Sequence, residues 1–333
     1  MDTTLLNPVH EQAAPVLSVI VLSYRQAEYI GACIQSVLDQ QLDVPFEVIV
    51  GDDNSPDNSL EVIESFRLRY PDVIKVILHE KNVGFSGNFS DTVALARGEY
   101  IANIDGDDVM FPGKLQRQLD FLRAHPECGL VVHKMRPVDQ DTLETVTYPL
   151  SEDKPATFDA EYLIKNGPFF FHSSEMYRAH LRRRHPVDIG LKSVADVAHL
   201  LQILMGSQGC YLDEELGLYR VNRTGLTSVR INNPARHREC LNDVIQTCQL
   251  AADLGMASDA VNKGRAKFYL TSAIFFLEHG QEDSFEDCIE SSWRAARIGR
   301  KQLALYAMRR WPRTLRTVYT GLKQMAGRQP VDA

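Results

Sequence analysis

The 333-residue sequence has no run of about 20 apolar residues of the kind that crosses a bilayer, and its start, Met1–His10, has no basic segment followed by an apolar stretch. Neither a membrane anchor nor a secretory leader is therefore expected. Cysteine is sparse and scattered: Cys33, Cys128, Cys210, Cys240, Cys248 and Cys288 form no C-x-x-C pair and no zinc-like spacing. That excludes a structural zinc module and favours a reduced, cytoplasmic setting in which the thiols serve as small buried side chains. Internal repeats and low-complexity tracts are also missing. So is glycine after the first apolar run, where Arg25-Gln26-Ala27-Glu28 stands. A dinucleotide-binding oxidoreductase or a nucleotidyltransferase needs a glycine-rich phosphate turn at that point, so both classes fall behind.

What is present is a composition of 44% hydrophobic and 24% charged residues, that of a globular chain able to bury a large core. Charge is unevenly distributed. Residues 294–333 carry ten of the 36 Lys+Arg but one of the 44 Asp+Glu, a balance of +9 against -17 for the remainder. No nucleic-acid partner is expected.

Polar residues up to Pro15 read as a tail. Val16–Leu22 is then a continuous apolar run, the mark of a strand buried on both faces. Helical periodicity over Glu28–Asp39 and a second buried strand at Phe46–Val50 complete a β-α-β unit. A helix over Ser59–Tyr70, a strand at Val73–Leu78, a helix near Phe89–Ala96 and a strand at Tyr100–Ile104 continue the alternation. This predicts an α/β fold with a mainly parallel sheet. Helices over Pro112–His125 and Val194–Met205 follow, with strands at Gly129–His133, around Pro168–Met176, at Cys210–Leu212 and at Leu216–Val221. The sheet is expected to turn antiparallel around Pro168–Met176. Beyond Asn233 the pattern is helical. The expected division is a tail over 1–15, a catalytic domain over 16–228 and a helical region over 229–333.

Chemistry in such sheets gathers beyond the carboxyl ends of the strands. There the sequence places Gly51-Asp52-Asp53-Asn54-Ser55 and Asp105-Gly106-Asp107-Asp108. Carboxylates so crowded call for a cation or hydrogen-bond donors. Asp105 and Asp107, one residue apart, can together face Mg2+ or Mn2+ and so stabilise charge on a departing diphosphate.

Several segments, in order, resemble the family 2 inverting glycosyltransferases, which implies the GT-A fold. These are Ser18–Tyr24 (SVIVLSY), Gly51–Ser55 (GDDNS), Asn82–Phe89 (NVGFSGNF), Arg97–Asp108 (RGEYIANIDGDD) and Pro112–Leu122 (PGKLQRQLDFL). The resemblance implies transfer of a sugar from a UDP- or dTDP-sugar to an acceptor hydroxyl. The acceptor class is a glycan or lipid-linked glycan, as in surface polysaccharide assembly. It places Tyr24, Asp52, Asp53, Asn88, Asp105, Arg220 and Arg223 around the donor, Asp105 and Asp107 on the metal, and Asp196 as the general base. The alternative for Asp52 and Asp53 is a helix N-cap turn with Asn54 and Ser55, and for Asp196 a cap or dipole partner. Departures from the family pattern are Ala195 where a Glu is usual, Asn222 where a His is common, and Leu22-Ser23-Tyr24-Arg25 in place of Pro-Thr-Tyr-Asn. A catalytically silent sugar-nucleotide or glycan-binding module is the alternative. His172 and His199 read as core or cleft histidines.

At the basic end, Leu315, Val318, Tyr319 and Leu322 fall on one helical face among Arg313, Arg316 and Lys323. Two destinations are open: an anionic membrane surface, making the enzyme peripheral at the inner face, or packing on the catalytic domain.

Overall fold

The computed structural model describes residues 3–5, 14–148, 150, 154–184, 191, 195–222 and 233–325. The chain divides into two compact units, Met1–Ala160 with Pro168–Asn222, and Glu161–Gly167 with Arg223–Ala333.

The first unit is built on one mixed sheet. Its central strands are β2 (Leu17–Ser23), β3 (Phe46–Asp52), β4 (Ile74–His79) and β5 (Tyr100–Asp105), all parallel in the order β4-β3-β2-β5. Every residue of β2 is buried, as its unbroken apolar sequence demands for a strand covered on both faces. Helices α1 (Ile30–Leu38), α2 (Ser59–Arg69) and α3 (Gly84–Ala94) connect these strands. Ile30, Cys33, Ile34 and Val37 of α1 pack into the same cluster as Val19, Val21, Val50 and Ile104. The chain runs outward from β2 to β4 and then crosses back to place β5 on the other side of β2. Strand order therefore reverses between β2 and β5, and a crevice opens there at the carboxyl ends.

The sheet continues through the short β6 (Val109–Met110), helix α4 (Lys114–Ala124), β7 (Cys128–Asp139), β8 (Thr157–Phe158), β9 (Met176–Arg178), helix α6 (Ala179–Arg184), helix α7 (Ala195–Leu204) and β10 (Gln208–Val221). β9 lies antiparallel between β5 and β7, so the sheet does turn antiparallel. Four expectations need correction. The tail contributes a strand, β1 (Thr3–Leu5), antiparallel to β4. The two strands expected at Cys210–Leu212 and Leu216–Val221 are one strand, β10, parallel to β7 with register shifts between Leu212 and Gly217. Pro168–Phe171 is not a strand; the apolar run is buried, but it leads into a single 3-10 turn, His172–Ser174. Finally, Cys128 of β7 and Cys210 of β10 are joined as a disulfide, with Cα atoms 6.2 Å apart, whereas Cys33, Cys240, Cys248 and Cys288 remain thiols.

The second unit holds α5 (Ala160–Asn166) in most of its length, together with α8 (Pro234–Asp253), α9 (Ser258–Glu278), α10 (Glu282–Ala295), α11 (Arg300–Ala307) and α12 (Pro312–Met325). Its core joins Leu241, Phe276, Phe285, Ile289, Leu305 and Leu315. Of the stripe on α12, Leu315 is buried and Tyr319 packs against that core, while Val318 is exposed. Arginines at this end face the acidic side of α10: Arg309 pairs with Glu290, Arg310 with Glu286 and Arg313 with Glu282. No helix among the described residues is long and apolar enough to cross a membrane.

Candidate active site

The crevice between β2 and β5 gathers most of the residues singled out by the sequence. Leu22 pairs with Asp105 in register, and Gly106 N donates to Leu22 O at 2.8 Å. Gly106 has to lack a side chain, since a Cβ there would lie 2.3 Å from Gln26 Oε1 and 2.7 Å from Ile30 Cδ1. The acidic loop is thereby drawn down onto the end of β2.

Asp105 is half-buried, with Oδ1 3.1 Å from His172 Nδ1. Its backbone N donates to Ser173 Oγ at 3.0 Å. Asp107 is half-buried, and burial together with the neighbouring Asp105 pushes its carboxyl up to about 7. Asp108 is fully buried; Oδ2 accepts from Ser173 Oγ and Oδ1 accepts from Arg220 N at 2.9 Å. Burial first, then Asp107 and Asp105, raise the Asp108 carboxyl well above the usual range. Beneath the loop lies Lys114, fully buried, whose Nζ has no hydrogen-bond partner among the described residues. Burial lowers its ammonium to about 7, while Glu175, Cys33 and Asp108 pull the other way. The Arg220 guanidinium lies over the Tyr29 ring at 5.1 Å, and its charge acts to lower Asp107.

The turn after β3 is built differently. Asp52 is fully buried and closes the turn by accepting from Ser55 N at 2.9 Å and Ser55 Oγ at 2.7 Å. Asp53, also buried, accepts from Val83 N at 2.6 Å and Gly84 N at 2.9 Å, so its carboxylate caps the start of α3 from another segment. Asp52 therefore closes a local turn ahead of α2, whose N-cap position is Asn58, whereas Asp53 caps a helix some 30 residues on. Asn88 sits below the turn, where its Nδ2 donates to Gly51 O at 3.0 Å and its Oδ1 lies 3.2 Å from His79 Nε2. A Cβ on residue 51 would fall 2.3 Å from that Oδ1, which is why the turn begins with Gly51. Tyr24 is 40% exposed at the end of β2, with the Arg25 guanidinium 5.4 Å from its ring. Arg25 has φ 58°, a left-handed backbone unusual for a long side chain.

The crevice thus brings together Tyr24, Asp105, Asp107 and Arg220, with Asp52, Asp53 and Asn88 supporting or lining the adjacent turn. Asp196 lies in the first turn of α7, and its side chain is outside the described portion, as is the whole of Arg223. Sequence reasoning missed the roles of Ser173, Lys114 and His172. Only Lys114 carried a signal, a lysine on the apolar face of a helix that begins two residues after Pro112.

The donor set fits a hard divalent cation. No group of three or more metal-capable side chains comes together among the described residues. Two adjacent carboxylates without a closed cage suit Mg2+ or Mn2+, which complete their coordination with water and substrate phosphates.

A sequence profile described as glycosyl transferase family 2 matches residues 18–183. The chain belongs to glycosyl transferase family 2. An uncharacterized protein of Mycobacterium tuberculosis is 32% identical over 214 residues, which span 63% of this chain and 60% of that protein. The putative glycosyltransferase EpsE of Bacillus subtilis is 29% identical over 167 residues, 50% of this chain and 58% of that one. The chain therefore spans about 60% of the length of these relatives. Among solved structures, Staphylococcus aureus TarS 1-349 in complex with UDP-GlcNAc superposes with a TM-score of 0.66 at 18% identity, covering 92% of this chain and 91% of that one. The mannosyltransferase PcManGT from Pyrobaculum calidifontis, in complex with GDP-Man and Mn2+, gives a TM-score of 0.53 at 17% identity over 98% of this chain and 91% of that one. At such identities these two structures speak to the fold, which is GT-A.

Proposed function

We propose that this family 2 member is a metal-dependent, inverting glycosyltransferase. It moves a sugar from a UDP- or dTDP-sugar to a hydroxyl of a glycan or lipid-linked glycan in surface polysaccharide assembly. The observation that carries the reading is the pair Asp105 and Asp107 at the strand-order switch point, with the Arg220 charge acting on Asp107. Relatives named for glycosyl transfer, and a structural neighbour bound to UDP-GlcNAc, support the donor class.

In this reading Asp105 and Asp107 hold Mg2+ or Mn2+, which when bound supplies positive charge against the leaving diphosphate. Arg220, pinned by its backbone bond to Asp108 and stacked on Tyr29, contributes a second cation to the same oxygens. Asp52 and Asp53 keep acceptor capacity beyond their turn and cap bonds, since each carboxylate oxygen accepts twice. Asp53, the less completely enclosed of the two, takes the N3–H of uracil or thymine. Tyr24 offers an exposed ring beside them. Asp196 removes the proton from the acceptor hydroxyl as its oxygen bonds to the anomeric carbon and the bond to the diphosphate breaks. Attack opposite the leaving group inverts the configuration.

The test is a donor panel with Mn2+, with the anomeric configuration of the product read by NMR. Retention of configuration, or full turnover in excess EDTA, defeats the corresponding part of the reading. Donor hydrolysis without transfer separates a poor acceptor from a silent binding module.

We propose as well that the C-terminal helices bring the enzyme to an anionic membrane face on the cytoplasmic side. Support comes from Trp311 (62% exposed), Leu303 (51%) and Val318 (49%), which stand among Arg300, Lys301, Arg310 and Arg316.

A further inference from the structure

We propose that His172 is a positioning residue for Asp105, fixing the orientation of that carboxylate rather than touching donor or acceptor. The inference rests on the reading of Asp105 as a donor-side carboxylate. His172 opens the 3-10 turn His172–Ser174, and its side chain is 9% exposed. Its Nδ1 lies 3.1 Å from Asp105 Oδ1. A carboxylate accepts and does not donate, so Nδ1 carries the proton.

Two rings fix the plane of the imidazole. Phe85 and Phe89 of α3 both meet it edge-on, with centroids at 5.4 and 5.3 Å and interplanar angles of 76° and 81°. The next residue holds the other end of the same loop, since Ser173 Oγ accepts from Asp105 N and donates to Asp108 Oδ2. His172 and Ser173 together therefore clip the acidic loop at its first and last carboxylates. Ser173 sets the backbone, and His172 sets the rotation of the one carboxylate in this clip that remains accessible. Phe89 in turn meets the His199 ring of α7 at 4.9 Å. A histidine placed only to fill the core has no need to direct a ring nitrogen at a solvent-accessible carboxylate.

The geometry separates two conservative replacements. In Asn the amide nitrogen reaches about where Nδ1 stands, whereas in Gln it reaches about where Nε2 stands. The experiment is calorimetric titration of the full chain with UDP, with and without Mn2+, for wild type, His172→Asn, His172→Gln and His172→Leu. Each is repeated in an Asp105→Asn background, with thermal melts to confirm folding. A hydrogen bond to a charged group predicts about tenfold or greater weakening of UDP binding in the presence of Mn2+ for Leu and Gln. The Asn variant stays within about threefold of wild type, and each replacement has a smaller effect once Asp105 is Asn, whose Oδ1 is only a neutral acceptor.

Equal loss in the Asn and Gln variants, an undiminished loss in the Asp105→Asn background, or wild-type affinity in His172→Gln overturns the proposal. If Asp105→Asn alone leaves UDP binding unchanged both with and without Mn2+, the donor-side reading of Asp105 fails first, and the positioning role falls with it. Should His172→Leu not fold, the comparison of Asn with Gln decides.

Discussion

Two carboxylate centres lie at opposite ends of the same parallel strands and are built in opposite ways. At the amino ends, Glu47 of β3 is buried and saturated. Ser18 Oγ donates to it at 2.7 Å, Lys75 Nζ at 2.7 Å, Arg97 N at 2.9 Å and Arg97 Nε at 3.2 Å. Burial alone would raise its carboxyl; the bonds from Lys75, Arg97 and Ser18 outweigh this, and the net shift is downward. At the carboxyl ends, Asp105, Asp107 and Asp108 crowd within four residues, and burial with mutual repulsion drives Asp107 and Asp108 upward. One centre is complete as the chain folds. The other is short of positive charge, and that shortage is what a cation and a diphosphate site require.

The largest expected effect comes from neutralising the incomplete centre. Asp107→Asn should lower transfer by about 1,000-fold or more, because an amide is a poor ligand for a hard cation and charge on the leaving diphosphate goes uncompensated. The melting temperature of the metal-free protein should hold or rise, since a repelling carboxylate has gone. Initial rates with labelled donor and a thermal melt check both halves. A variant that keeps wild-type turnover, or that melts early, would place Asp107 in the structural class with Glu47.

Next is Asp196→Asn. A general base acts in the transition state, so kcat should fall by about 100-fold or more while nucleoside diphosphate affinity stays level. Loss of nucleotide binding in calorimetry would instead make Asp196 a support of the α7 start.

The reverse experiment is Glu47→Gln. Removing one partner of a buried ion network costs about 3 kcal/mol, read as a shift of the urea midpoint, with kcat unchanged at temperatures where the variant is folded. The sign of the pH dependence follows from the depressed carboxyl. Its stabilisation is fully present above the unfolded pKa of about 4.3 and is lost as pH falls through the lower folded value. Wild type and variant should therefore converge in strong acid.

Much of this contrast is legible in the sequence, and the rest is not, for reasons that can be named. β2 to β5 announce themselves as continuous apolar runs, and the acidic loop follows β5 directly. What escapes is whatever depends on partners distant in sequence. Asp53 meets Val83 and Gly84, Asn88 meets Gly51, and Cys128 meets Cys210 across 82 residues. No local spacing encodes such pairs. Pro168–Phe171 misleads because a buried apolar run satisfies the strand pattern whether or not its backbone is laddered, and Pro168 has no N–H to offer a ladder. β10 reads as two strands because its register shifts interrupt the alternation. His172 resists assignment because its partner, Asp105, lies 67 residues earlier in the chain.

The smallest expected effect sharpens the comparison with a third arrangement of charge, the exposed pairs of the C-terminal helices. Arg310 and Arg313 are 67% and 88% exposed and face Glu286 and Glu282 at 3.1 and 2.9 Å. Pairs so open to water contribute between about 0 and 1 kcal/mol, far below the network at Glu47. Arg310→Ala and Arg313→Ala should therefore move the urea midpoint by no more than about 0.5 kcal/mol each. If these helices lie on anionic lipid, the same arginines act mainly outside the fold. About 1 kcal/mol per basic residue near a charged membrane corresponds to about a fivefold loss of vesicle affinity per substitution. Co-sedimentation with phosphatidylglycerol vesicles, compared with phosphatidylcholine vesicles and with high salt, reads that loss directly. Trp311→Ala should weaken binding on both sides of the salt comparison, because its contribution is apolar. Vesicle binding untouched by all three substitutions, or a stability loss comparable to that of Glu47→Gln, would mean that the basic end works within the fold.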